Sequence, residues 1–256
     1  MTSPAGTRSP RGVRAKPSLR PNGYFERSQL PLTSLLFLSP LLILYELGTY
    51  YLAYDPTRHT EQRIKAFTLL QQFFHLFGVT GRYLPALAVA AILLAWHMAR
   101  KDSWRLHFAT AGMMAVESLA LCLPLFALDA MAARYVPLAS PFGQWPVRCV
   151  ISIGAGIYEE LIFRLIGFTL LTVLLLDIFK MRKIPGTLLM VLITAIGFSL
   201  YHYGGDEIFQ WRTFIFRTAA GIYFAGVFCL RGFGVTAGCH AAYDLAIVAV
   251  TSSIAS

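Results

Sequence analysis

Three short stretches in the C-terminal half of the chain hold residues that could do hydrolytic chemistry. In order they are Glu159-Glu160-Leu161-Ile162-Phe163-Arg164, Phe198-Ser199-Leu200-Tyr201-His202 and His240-Ala241-Ala242-Tyr243-Asp244. On a helix Glu160 and Arg164 share a face and can pair, while Glu159 lies about 140° from Arg164 and points elsewhere. One carboxylate is then neutralised and its neighbour is left for another task. His240 and Asp244 also share a face, so the carboxylate can accept the imidazole N–H and set its tautomer. Taken singly, each stretch also fits a structural role: an ion pair at a helix end, an interfacial histidine, or a polar pair packed against another helix. Taken together they supply a general base in Glu159, two imidazoles in His202 and His240, and an orienting carboxylate in Asp244. That is the inventory for activating water against a carbonyl. Glu159, His202 and His240 are also a two-histidine, one-glutamate set of the kind that can bind zinc. Other intramembrane chemistries are not supported: the chain has no HExxH, and neither Gly197-Phe198-Ser199-Leu200 nor Tyr203-Gly204-Gly205-Asp206 completes a GxSG or GxGD pattern.

The elements that position these residues are read from composition. Of 256 residues, 56% are hydrophobic and 14% charged. That balance excludes a disordered chain and argues against a soluble enzyme. Repeated apolar stretches of about 20 residues predict an all-α, polytopic transmembrane helix bundle. Spans are expected at roughly 30–54, 83–99, 107–128, 147–179, 187–203, 212–230 and 235–253. The run 147–179 is too long for one perpendicular crossing. It is expected to be two helices, or one bent and broken near 159–164, which makes seven or eight spans. Pro40 is a candidate kink. Residues 61–77 pass from charged to aromatic at three- and four-residue spacing, predicting an amphipathic helix in the interface or a re-entrant piece. Against so apolar a background, Glu46 and Glu117 also need partners.

Net charge is +9, and much of the excess lies in residues 1–29, where Arg8, Arg11, Arg14, Lys16, Arg20 and Arg27 face Glu26 alone. With no base-reading module nearby, this excess reads as an orientation signal and an anionic-lipid contact, not a nucleic-acid footprint. The tail has no apolar signal-peptide core. The chain is thus expected to be an integral protein of the cell (inner) membrane with a cytoplasmic N-terminus and a substrate cavity open to the cytoplasm. Its expected divisions are a basic, disordered tail (1–29), N-terminal membrane helices with the interfacial segment (30–140) and a catalytic bundle (145–253). Cys122, Cys149, Cys229 and Cys239 form no CxxC pair and read as apolar packing groups.

The three stretches resemble the CPBP family, also called the Abi or CAAX-protease-and-bacteriocin-processing family, whose eukaryotic branch includes the Ras-converting CAAX endoprotease. Its pattern is EExxxR, then FxxxH, then HxxxN or a variant, on successive membrane helices. Here it is met by Glu159-Glu160-xxx-Arg164, Phe198-xxx-His202 and His240-xxx-Asp244. The resemblance implies an intramembrane endopeptidase acting on a membrane-associated protein or peptide. In it Glu159 and His202 activate the attacking water, His240 and the residue at 244 steady the oxyanion, and Glu160, Arg164 and Phe198 support them. Asp244 stands where the family often has Asn. An ionised Asp cannot donate to an oxyanion, so Asp244 is protonated, orients His240, or helps hold a metal. The cofactor expectation is none, or one divalent metal with zinc a candidate. The alternative functions are a proton- or ion-coupled transporter and a non-catalytic immunity or scaffold protein.

Overall fold

The computed structural model describes residues 23–55, 60–133, 144–204 and 207–254. Among them, six helices are long and apolar enough to cross a membrane: Pro31–Leu52, Phe108–Met131, Trp145–Ile178, Lys183–His202, Trp211–Arg231 and Phe233–Ser252. Leu84–Arg100 is a shorter apolar helix of 17 residues. The architecture is the expected all-α bundle. Its strand content among the described residues is one antiparallel ladder pairing Tyr54 with Glu61 and Asp55 with Thr60. Lys65–Leu76 is a helix of 12 residues, too short to span. It buries Ala66, Phe67 and Leu70 and leaves Phe73 and Leu76 exposed.

Local chemistry explains two departures from simple helices. Pro40 lies inside Pro31–Leu52 without ending it. Proline removes the donor that Leu36 would otherwise receive, and the Ser39 hydroxyl donates to the Leu36 carbonyl instead, at 3.0 Å. The second departure corrects an expectation. Residues 145–178 form one continuous helix rather than two or a broken one. The charged cluster does not break it because those groups are buried and paired with one another. The helix widens into a π-wound segment, Leu161–Ile166, directly after the two glutamates, and again at Thr172–Ile178. Such i→i+5 turns are frequent at functional sites. At up to about 50 Å the helix exceeds a hydrocarbon core of about 30 Å, so it must tilt or project.

The bundle has two distinct ends. At one, Ser34 meets Gly234, and the short helix Tyr24–Ser28 covers Arg231. This is the tail end. The expected tail therefore includes an ordered docking helix at 24–28, while residues 1–22 lie outside the described residues. At the other end Gly48 meets Val150, Arg148 donates to Thr251 at 2.7 Å, and Lys65 donates to the Tyr201 carbonyl at 2.8 Å. The links 101–107, 179–182 and Gly232 belong to the tail end. Gly232 joins the last two helices alone at φ +81°, a conformation only glycine takes without strain. Small residues let helices approach closely. A methyl group on Gly156 would stand 2.6 Å from the Ala241 backbone nitrogen, and one on Gly221 would stand 2.9 Å from Ala195 Cα. All four cysteines are unpaired.

Candidate active site

The Gly156 contact presses the Trp145–Ile178 helix onto Phe233–Ile254 one turn before the two glutamates, which sets their reach to His240. Glu160 Oε1 accepts from Arg164 Nη1 at 3.0 Å and from His240 Nδ1 at 2.8 Å. Arg164 and Glu160 are fully buried. The second guanidinium nitrogen of Arg164 donates to the Gly221 carbonyl at 3.1 Å, and its plane lies 4.6 Å from the Phe198 ring centre and 5.5 Å from that of Phe224. The arginine is thereby pinned among three helices.

His240 carries the site. Its ring stacks on Phe224 at 4.5 Å and 20°. An ionised carboxylate can only accept, so Nδ1 bears the hydrogen given to Glu160, and Nε2 faces outward. There it meets Asp244 Oδ2 at 3.6 Å and Glu159 Oε2 at 3.9 Å. The structure thus gives the orienting contact to Glu160, across helices, and places Asp244 on the opposite nitrogen, beyond hydrogen-bond length. Glu159 turns away from Arg164, as the helical spacing required.

His202 is held differently. Its Nδ1 lies 2.8 Å from the Phe198 carbonyl. A carbonyl can only accept, so Nε2 is the free lone-pair nitrogen. Phe198 is common to both histidines, 5.0 Å from His202 and 5.9 Å from His240. Among the described residues, no three His, Cys, Asp or Glu side chains converge closely enough to hold a metal ion. Glu159, His202 and His240 do not gather as a three-ligand set.

Three contributors escaped the sequence reading. Tyr201 places its phenol against Glu159. Phe224 supplies the stacking surface, and Lys65 holds the end of the His202 helix through the Tyr201 carbonyl. Tyr201 could have been suspected as the neighbour of His202. Phe224 and Lys65 carry no local signal, because each acts from a helix distant in sequence. The other intramembrane carboxylates are bound elsewhere: Glu46 accepts from Arg63 at 3.0 and 3.1 Å and Glu117 from Arg231 at 2.8 Å.

No curated protein and no solved structure matches the chain. Residues 141–246 match the family model described as type II CAAX prenyl endopeptidase Rce1-like. The matched segment contains all three motifs. Residues 141–246 are therefore similar to the Rce1-like branch of the CPBP/Abi family of intramembrane proteases.

Proposed function

We propose that the chain hydrolyses a peptide bond of a membrane-associated protein with water activated by Glu159 and His202. The observation that carries this reading is the unequal treatment of the two imidazoles. His202, bonded to a neutral carbonyl, offers a lone pair at Nε2. His240 has a carboxylate at Nδ1 and two more facing Nε2. Surrounded in this way, His240 is suited to hold a hydrogen on Nε2 and present it to developing negative charge, while His202 is suited to accept one.

In the proposed step Glu159 takes a proton from water, with His202 aligning the other hydrogen. The oxygen bonds to the carbonyl carbon, and the carbonyl oxygen, gaining the electron pair, is met by His240. Collapse of the tetrahedral intermediate breaks the C–N bond, and the proton held by Glu159 passes to the leaving amine. Asp244 supports charge on His240. The basic tail holds the protein against anionic lipid.

The test compares the full-length protein with Glu159→Gln in proteoliposomes and in cells. Peptide termini generated by the wild type should vanish in the variant, and turnover of any peptide so identified should fall by about 10²–10⁴-fold. Thermal unfolding should be unchanged. Unaltered cleavage in a folded Glu159→Gln protein overturns the assignment.

A further inference from the structure

The Lys65–Leu76 helix begins against local rules. Its N-cap is Ile64, no side chain caps its first turn, that turn holds no acidic residue, and its first residue is a lysine. A helix N-terminus is the positive end of the macrodipole and favours Asp, Glu, Ser or Thr there. Lys65 therefore gains nothing from its own helix, and local rules of this kind tend to be broken at functional sites.

The lysine acts on another helix. Tyr201 is the second-to-last residue of Lys183–His202. Its carbonyl accepts from Lys65 Nζ at 2.8 Å and from the Gly204 N–H at 3.3 Å. Carbonyls of a last turn lack partners within their helix and lie at the negative end of its dipole, so a cation there is favourable. The ammonium also lies 5.2 Å from the centre of the Tyr201 ring. Glycine at 204 leaves it room, since a methyl group there would stand 2.5 Å from Lys65 Nζ.

Tyr201 is thus held at its carbonyl and at its ring. The ring packs edge-on against His202 at 5.0 Å and against Phe163 at 5.4 Å. Phe163 lies one turn after Glu159 on the same helix, so the tyrosine sits on the face that carries the general base. Its phenol faces the Glu159 carboxylate and the backbone N–H of Ala66. That N–H belongs to the uncapped first turn of Lys65–Leu76, and Ala66 is fully buried, so it needs an acceptor. A phenol both accepts and donates. It can take the Ala66 hydrogen and give its own to Glu159, whose Oε2 is otherwise 3.9 Å from His240 Nε2, too far to fix it.

We propose that Tyr201 is a positioning residue: its phenol sets the direction of the Glu159 carboxylate, and Lys65 holds Tyr201 in place to do so. The catalytic consequence rests on the peptidase reading above. The contact does not.

The experiment has two arms on the full-length chain in detergent. In the first, a ring-fluorinated tyrosine is placed at position 201 alone and read by fluorine NMR, with no peptide present. Glu159→Gln and Lys65→Met should each move the resonance, and Glu117→Gln should leave it in place. A resonance blind to Glu159→Gln or to Lys65→Met overturns the proposal. The second arm uses a peptide whose cleavage is lost in Glu159→Gln. Tyr201→Phe should lower kcat by about 10²-fold with KM unchanged. The fluorinated tyrosine, which keeps its hydroxyl, should restore kcat. Gly204→Ala, which displaces the flexible end of Lys65, should lower kcat by less. Wild-type kcat in Tyr201→Phe, or a loss confined to KM, overturns the positioning role. If no cleavage is lost in Glu159→Gln, the catalytic consequence falls with the peptidase reading, and the resonance still decides the contact.

Discussion

Two of the arginine–glutamate pairs in the bundle, Glu117–Arg231 and Glu160–Arg164, are built on opposite plans. In Glu117–Arg231 every group is used. Arg231 grips both carboxylate oxygens, Tyr24 adds a third donor, and Arg231 also reaches Ser28 at 2.9 Å and covers the Phe25 ring at 4.4 Å. In Glu160–Arg164 a single oxygen serves both Arg164 and His240, while Glu160 Oε2 and Arg164 Nε have no hydrogen-bond partner. The first pair is a saturated clasp, which has nothing to offer a reactant. The second leaves donors and acceptors unspent where they bear on an imidazole. Incomplete satisfaction of buried polar groups is costly and tends to be kept where function needs it.

The contrast breaks most visibly at the carboxylates. Glu160→Gln should destabilise the protein by about 3–5 kcal/mol, because Arg164 is left buried without its countercharge. It should also depress cleavage by releasing His240. Glu117→Gln should cost less than Glu160→Gln, because Arg231 keeps the Ser28 hydroxyl and the Phe25 ring, and it should leave turnover near wild type. Thermal unfolding in detergent and cleavage rate measure both, and equal losses would erase the distinction drawn here. A smaller effect separates helix contacts. Gly156→Ala must push the last helix off the glutamates, lowering stability by about 1–3 kcal/mol and reducing turnover. Gly226→Ala meets nothing within 4 Å and should leave both unchanged. The smallest effect belongs to Tyr24, outside the membrane segments. Its phenol is pushed up to about 12 by burial and by the Glu117 carboxylate beside it. The neutral form is thus favoured in the folded state, and the stability it contributes is full below pH 10 and lost as pH rises toward 12. Tyr24→Phe should unfold with a shallower pH dependence across that window and unaltered cleavage.

Much of this was legible before any coordinates. Length and hydropathy locate the apolar helices, since a bilayer of fixed thickness tolerates little variation. The i,i+4 spacing of Glu160 and Arg164 announces their pairing, and it also predicts that Glu159 diverges. The π turn at Leu161 leaves no compositional mark, so length and the charged cluster suggest two helices or a bent, broken one where the structure has a continuous helix. The Glu160–His240 contact joins residues 80 apart. Nothing local distinguishes it from the His240–Asp244 pairing that spacing suggested. Both candidates are carboxylates, and tertiary packing at Gly156 chooses between them.

The separation along the chain also has a consequence for biogenesis. Arg164 emerges from the ribosome four residues after Glu160, so the most deeply buried cation enters the bilayer with its counterion already beside it. Insertion of that helix is eased, because a lone charge costs about 2.5–3.5 kcal/mol at a helix centre. Glu117 has no such companion: Arg231 follows it by 114 residues. Its helix must be threaded into the membrane as an unneutralised acid, with Tyr24, made 93 residues earlier, to shelter it meanwhile. The Glu160–Arg164 pair can therefore assemble in place as it is synthesised, whereas the clasp closes when Trp211–Arg231 arrives, and its closure marks the near-completion of the bundle.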